Sequence, residues 1–271
     1  MSLDIERAEW ETEALAEALP TTIHKNTQEI AGVECTWIAE SSTTNPKVVV
    51  YLHGGGLVAG SVITHQAFAS RIAQVASASV LLVNYRLLPE NSYPAPLDDI
   101  LSVYKALITK HDLSPRNIII GGDSSGGGLA LSALVCARNS GLQLPLRAFM
   151  LSGTFDMTLS SISMSRNTST DKHLSKAALQ KWQADYLKFN LESPLLSPLY
   201  ADLAELPPLL LIAGGNEPWV SDSENAAYKI RKTGGQVSLK IWPTMEHVFV
   251  MNSALPESDE ALDEIANFIN Q

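Results

Sequence analysis

The chain has 271 residues, 45% of them hydrophobic and 18% charged, which is enough apolar material for one substantial core. Its net charge of −10 and pI near 5 argue against nucleic acid or an anionic membrane surface as a partner. The start, MSLDIER, lacks a secretory signal, and no run has the roughly 18 apolar residues of a membrane span, so we expect a cytoplasmic protein.

Strand and helix patterns alternate through most of the chain. An amphipathic helix is predicted over 3–19, ended by Pro20. After it, the alternation predicts an α/β fold with a mostly parallel sheet covered on both faces. Eight strands are predicted, at 21–30, 33–39, 47–52, 79–85, 117–121, 147–152, 208–213 and 237–242. Helices are predicted at 64–77, 96–110, 125–139, 222–233 and 257–270.

A glycine-rich string, Gly122-Asp123-Ser124-Ser125-Gly126-Gly127, follows the predicted strand 117–121 and precedes a helix. A nucleophile elbow needs glycine two residues before and two after the serine, because the turn is too tight for side chains there. Ser124 meets this requirement, whereas Ser125 finds Asp123 in place of the first glycine. Ser124 is therefore the predicted nucleophile.

A second string, His53-Gly54-Gly55-Gly56, follows the predicted strand 47–52. It could be only a flexible loop. At a strand end beside a serine motif, however, bare backbone N–H groups can approach a developing oxyanion. The pair of strings therefore favours acyl-transfer chemistry.

A serine nucleophile needs a base and an orienting acid, which in this architecture follow it in the order carboxylate, histidine. Of the two histidines after Ser124, His247 follows a predicted strand and His173 does not, so His247 is the predicted base. Glu217, just beyond strand 208–213, is the preferred acid. Asp222 and Asp156 remain alternatives, the first interpreted as a helix cap and the second as a carboxylate that holds a loop.

More than fifty residues separate Phe155 from the strand that begins near Leu206. The middle of this segment, 175–189, is amphipathic and predicts a helix over the active-site face, as part of a cap. An ordinary crossover helix with long flanks is the alternative. Cys35 and Cys136 are predicted to be buried free thiols, and they provide no metal-site spacing.

Further motifs make the chain resemble the hormone-sensitive-lipase family of α/β-hydrolase carboxylesterases. Beside the two glycine-rich strings they are Tyr85 to Glu90, Tyr93 to Asp99, Ser197 to Leu199, Ala201 to Leu203, Leu206 to Pro208 and Pro243 to His247. The resemblance implies an α/β-hydrolase fold spanning 1–271, with a small helical cap from about 1–20 and 157–205. It also implies a serine carboxylesterase acting on short acyl esters.

The resemblance implies a role for individual residues of the site. Ser124 would be the nucleophile, His247 the base, and Gly55, Gly56 and Ser125 the N–H donors to the oxyanion, while His53 would brace the glycine loop. No metal or cofactor is implied, and the partner would be a small-molecule ester.

Three features depart from the family pattern. Glu217-Pro218 stands where the family usually has aspartate before proline, Leu57 stands where an aromatic residue commonly follows the glycines, and the segment before the first motif is short. A smaller cap and a more open pocket are therefore expected. The predicted pocket walls are Leu57, Trp182, Trp219 and Phe249, although each is also an ordinary core residue type.

Two other functions remain open from the sequence. The same residues could open a lactone or an aryl formamide, since the pocket decides the substrate. A receptor-like protein on a hydrolase scaffold is the non-enzymatic alternative, but such a protein is expected to lose the nucleophile or the base, and this chain keeps both. The sequence does not define the oligomeric state, and a homodimer is compatible with it.

Overall fold

The eight predicted strands form a single sheet in the computed structural model, which describes residues 2–168 and 174–271. The strands are β1 (Ile23–Ile30), β2 (Val33–Glu40), β3 (Val48–Leu52), β4 (Ser79–Val83), β5 (Ile118–Asp123), β6 (Arg147–Leu151), β7 (Leu209–Gly214) and β8 (Val237–Trp242). Their order across the sheet is β1-β2-β4-β3-β5-β6-β7-β8. β2 runs antiparallel to β1 and β4, and the other pairs are parallel, so the predicted fold class is confirmed.

Helices connect the strands and cover both faces of the sheet. In the described residues they are α1 (Leu3–Leu15), α2 (Val62–Ala76), α3 (Ala95–Thr109), α4 (Ser124–Asn139), α5 (Ile162–Arg166), α6 (Lys176–Tyr186), α7 (Val220–Lys232) and α8 (Pro256–Asn270). None of these helices is both long enough and apolar enough to cross a bilayer.

The central strands are buried on both faces, which explains their continuous apolar sequences. Along β3, Val48, Val50 and Leu52 belong to one apolar core, while Val49 and Tyr51 belong to the other. This alternation follows from side chains of a strand pointing to opposite faces in turn. α3, α4 and α7 pack on the first face, and α2 and α8 pack on the second.

The structure differs from the predicted helices at several boundaries. α1 ends at Leu15, not at Pro20, and residues 16–18 are exposed, so no packing supports another turn. α7 begins at Val220, which places Asp222 inside its first turn, so the prediction that Asp222 caps this helix is wrong. The predicted helix at 175–189 is present as the shorter α6, and α5 was not predicted.

Candidate active site

Ser124 lies at the junction of β5 and α4, in a turn that its neighbours make possible. Its φ of +49° is in the left-handed region, which residues other than glycine seldom adopt. A Cβ on Gly126 would lie 2.1 Å from the carbonyl oxygen of Leu52, and one on Gly122 would lie 2.6 Å from that of Gly126. Both flanking glycines are therefore required by close backbone contact with β3 and α4, as a nucleophile elbow demands.

The structure brings Ser124, His247 and Glu217 together in a line. His247 Nε2 lies 2.9 Å from Ser124 Oγ, and His247 Nδ1 lies 3.4 Å from Glu217 Oε2. Glu217 is fully buried, and neither of its carboxylate oxygens has a hydrogen-bond partner within the described residues. Such a carboxylate is costly to bury unless it is paired, so the imidazole is its principal stabilising partner.

Two glycines allow the loops after β7 and β8 to meet. A Cβ on Gly214 would lie 2.4 Å from the carbonyl oxygen of Met245, and one on Gly215 would lie 2.4 Å from that of Pro243. The Asn216 N–H donates to the same Met245 carbonyl at 3.0 Å. The loop that carries His247 therefore lies directly against the loop that carries Glu217.

Asn167, which the sequence analysis did not single out, supports the Glu217 loop from the long insertion. Its side-chain amide donates to the carbonyl oxygens of Gly215 at 2.9 Å and Glu217 at 3.0 Å. On the other side of the site, Ser152 Oγ accepts the N–H of Val248 at 3.0 Å. Val248 has a φ of +54°, a strained value for a β-branched residue, beside the candidate base.

The alternative carboxylates serve a different loop. Asp222 Oδ2 accepts the backbone N–H groups of Phe155 at 3.1 Å and Asp156 at 2.9 Å. Asp156 in turn accepts hydrogen bonds from Thr158 and Ser160. Both acids therefore hold the chain after β6 in place. The alternative base, His173, lies outside the described residues.

The loop after β3 presents backbone donors to the same site. Gly55 and Gly56 have φ values of +110° and +62°, and their N–H groups donate no hydrogen bond within the described residues. The N–H of Ser125 lies in the first turn of α4, where a helix supplies no carbonyl partner. The Ser125 side chain instead accepts the N–H of Leu57 at 3.3 Å.

His53 is buried beneath this loop. Its Nδ1 donates to the Gly54 carbonyl oxygen at 2.8 Å, and its ring stacks on Tyr85 with 4.2 Å between centroids. Burial, together with the nearby His65, lowers the pKa of His53 to about 3. The ring is therefore neutral at physiological pH, and its contacts are those of a brace for the glycine loop.

A cavity of about 500 Å³ opens onto Ser124 and His247. Gly55, Gly56 and Ser125 also line it. Its apolar wall is formed by Trp10, Val58, Met157, Leu174, Leu179, Trp182, Trp219, Val248 and Met251, among others. Size and composition are those of a site for a small, mostly apolar molecule.

Two of the four predicted pocket walls are corrected by the structure. Trp182 and Trp219 line the cavity, and the ring centroids of Trp219 and His247 are 5.0 Å apart. Leu57 is 1% exposed and belongs to one apolar core, while Phe249 packs against Trp242 in the other. Neither side chain lines the cavity.

Trp10 is a wall residue that sequence reasoning missed, and it comes from α1. Arg7, one helical turn earlier, fastens this helix by donating to the carbonyl oxygens of Val58 at 2.6 Å and Leu88 at 2.7 Å. It also pairs with Glu90 at 2.9 Å. The sequence signal was an aromatic residue within an otherwise acidic helix, which does not reveal what the ring contacts.

Comparison with known proteins agrees with this fold. A family model described as the alpha/beta hydrolase fold matches residues 49–251. An esterase of Acinetobacter venetianus is 35% identical over 243 residues, which are 88% of this chain and 79% of that protein. An acetyl-hydrolase of Streptomyces hygroscopicus is 32% identical over 225 residues, covering 82% and 75% of the two chains.

Solved structures extend the similarity over nearly the whole chain. A crystal structure of an esterase from the bacterial hormone-sensitive lipase family superposes with a TM-score of 0.95, at 36% identity, covering 99% of this chain and 91% of that one. The esterase EstE5, soaked with p-nitrophenyl butyrate, gives a TM-score of 0.93 at 33% identity, with 99% and 90% coverage.

Burial raises the pKa of Asp222 from its ordinary 3.8 to about 8. Between those values the folded chain holds a proton that the unfolded chain releases, so stability falls as pH rises from about 4 to 8. Asp222→Asn keeps an acceptor for the two N–H groups and removes this titration. We expect its melting temperature to decline less between pH 5 and 8.5 than that of the wild type, by differential scanning calorimetry. The exposed Asp263→Asn is the control, and parallel curves for wild type and Asp222→Asn would contradict the assignment.

Proposed function

Because the chain belongs to the hormone-sensitive-lipase family of α/β-hydrolases and is a carboxylic ester hydrolase, we propose that it cleaves short-chain acyl esters through Ser124, His247 and Glu217. The observation that carries the proposal is the 2.9 Å hydrogen bond between His247 Nε2 and Ser124 Oγ at the floor of the cavity. A nucleophile within reach of a base, with a carboxylate behind the base, has the arrangement of an activated serine.

In the first half of the proposed reaction, Ser124 Oγ attacks the ester carbonyl carbon while His247 Nε2 takes the hydroxyl proton. Glu217 faces the opposite nitrogen at 3.4 Å and stabilises the imidazolium that forms. The tetrahedral intermediate then expels the alcohol, which takes the proton from His247. An acyl group remains bound to Ser124.

In the second half, water attacks the acyl-enzyme as His247 accepts its proton, and the carboxylic acid leaves as Ser124 regains a proton. Both tetrahedral intermediates carry negative charge on the former carbonyl oxygen. The N–H groups of Gly55, Gly56 and Ser125 stabilise that charge. This assignment is supported by their shared position on the cavity wall and by the absence of other acceptors for the two glycine N–H groups in the described residues.

The size of the cavity supports a preference for short acyl groups. Trp10 from α1 and Trp182 from α6 are large rings on its wall, and they limit the space beyond the reacting carbon. We assign the segments around them, about 1–20 and 157–205, to a small helical cap over the sheet edge. The name of the Streptomyces relative, an acetyl-hydrolase, agrees with a small acyl group.

Ser124→Ala is expected to lower kcat for p-nitrophenyl acetate by at least about 10³-fold, as triad knockouts do. The wild type should also be labelled by a fluorophosphonate, and the variant should not. Ser125→Ala is the comparison variant, because it removes a neighbouring hydroxyl while keeping the backbone N–H. Undiminished turnover by folded Ser124→Ala would refute the nucleophile assignment.

Glu217→Gln is expected to lower kcat by about 10³-fold or more, because a neutral amide stabilises the imidazolium poorly. Asp222→Asn makes the same chemical change in a buried carboxylate that holds a loop, and it should retain activity. Steady-state kinetics on one ester and the melting temperatures of both variants are the measurements. Loss of activity confined to Asp222→Asn would overturn the choice of acid.

Trp182→Ala is expected to enlarge the cavity and shift preference toward longer acyl chains. The ratio of kcat/KM for p-nitrophenyl octanoate to that for the butyrate should rise about tenfold, the scale on which apolar pockets discriminate size. Trp37→Ala, in β2 outside the cavity wall, should leave the ratio unchanged.

The alternative substrates are tested by adding γ-butyrolactone and an aryl formamide to the ester series with the wild type. If kcat/KM for either compound is higher than for every ester, the short-chain ester proposal is displaced.

A further inference from the structure

A buried polar cluster lies directly beneath the glycine loop, and the proposed triad does not use it. Two hydrogen bonds and one ring nitrogen converge on Oδ1 of Asp123, the residue before Ser124. Tyr51 Oη donates to it at 2.9 Å and the Gly54 N–H at 3.0 Å. His65 Nε2 lies 3.3 Å from the same oxygen and accepts the same Gly54 N–H at 3.3 Å. Asp123 is 3% exposed, and Tyr51 and His65 are fully buried.

Asp123 is an anion despite its burial. Burial disfavours the charged form, but the nearby His65 and the hydrogen bond from Tyr51 outweigh it, so the pKa of Asp123 lies below its ordinary value. The carboxylate accepts the Tyr51 hydroxyl and the Gly54 N–H in charge-assisted hydrogen bonds. His65 Nε2 accepts the same Gly54 N–H, while its Nδ1 lies 2.7 Å from the Thr64 hydroxyl, which donates its own hydrogen to the Ser61 carbonyl oxygen.

The cluster acts on the glycine loop at a single point. The Gly54 N–H that Asp123 holds is one residue before Gly55 and two before Gly56, the residues proposed to bind the oxyanion. The fit is tight, since a Cβ on Gly54 would lie 2.2 Å from Asp123 Oδ2. Moving the Asp123 carboxylate would therefore move the backbone donors of the loop.

His65 is fixed on its remaining sides. It lies in the first turns of α2, whose start is closed by reciprocal hydrogen bonds between Ser61 and Thr64. The rings of Trp10 and His65 are in edge contact, with 5.8 Å between their centroids. α2 thus supplies a rigid support for the side chain that faces Asp123.

We infer that His65 is a positioning residue that, together with Asp123, holds the Gly54 N–H and so keeps the oxyanion-binding loop in place. The inference rests on the proposed roles of Gly55 and Gly56. The contact of His65 and Asp123 with the Gly54 N–H places the loop donors where negative charge develops in the transition state. Losing the contact should therefore lower kcat and leave substrate binding nearly unchanged, since uniform binding does not depend on those donors.

Two amide substitutions separate this role from simple space filling. In His65→Gln the side-chain amide reaches the place of Nε2, and its oxygen can still accept the Gly54 N–H. In His65→Asn it reaches only the place of Nδ1 and can contact only Thr64. We expect His65→Asn to lower kcat for p-nitrophenyl acetate by about 10- to 100-fold with KM within about threefold, a smaller loss than removal of a whole oxyanion donor. His65→Gln should recover most of that loss.

The second readout is the inhibition constant of 2,2,2-trifluoroacetophenone, which adds to the serine as a hemiketal anion. This constant should rise in His65→Asn by about the factor by which kcat falls. The inference is overturned if His65→Gln and His65→Asn have equal kcat values and similar melting temperatures. It is also overturned if His65→Asn changes only KM. If His65→Asn does not fold, Tyr51→Phe removes the hydroxyl that holds Asp123 Oδ1, the other acceptor of the Gly54 N–H, without changing shape, and an unchanged kcat there would overturn the inference.

Failure of the inference is distinguishable from failure of the proposed function. If Ser124→Ala is inactive and His65→Asn keeps the wild-type kcat, only the role of His65 is wrong. If folded Ser124→Ala keeps its activity, the proposed triad itself is wrong, and the role of His65 falls with it.

Discussion

The site depends on the close approach of backbones where β3 and β5 end. Gly126, in the first turn of α4, lies so near β3 that a Cβ would fall 2.1 Å from the Leu52 carbonyl oxygen and 2.4 Å from that of His53. Because α4 starts in this contact, Ser124 is forced into a left-handed conformation and projects from the elbow. The same contact fixes the distance between the serine and the glycine loop after β3.

A similar constraint operates at the other end of the site. Gly214 and Gly215 let the loop after β8 lie on the end of β7, and this contact brings His247 to the Glu217 side chain. Asn167 and Ser152 then tie the two loops to the long insertion and to the end of β6. The proposed catalytic side chains on loops thus gain their precision from rigid parallel strands and from backbone contacts that only glycine permits.

The prediction from sequence was successful where pattern and chemistry coincide. Continuous apolar runs predicted the central strands β3 to β7, because strands buried on both faces carry no polar alternation. The prediction failed where the burial of a side chain decides its role. Asp222 has the residue type of a helix cap, yet it lies within α7 and binds the N–H groups of Phe155 and Asp156, since those donors are buried and need an acceptor. Leu57 and Phe249 follow the motifs closely, but packing turns both into the core.

By itself, the sequence determined the fold class, the choice of Ser124 over Ser125 and the order of the candidate triad, because glycine spacing and strand ends are local properties. Only the tertiary structure placed Glu217 at 3.4 Å from His247, brought Trp10 from α1 into the cavity wall, and assembled Tyr51, Gly54 and His65 around Asp123. Those contacts join residues from separate strands, helices and loops. Their strength depends on burial and on distance, and neither quantity is encoded in the spacing of residues along the chain.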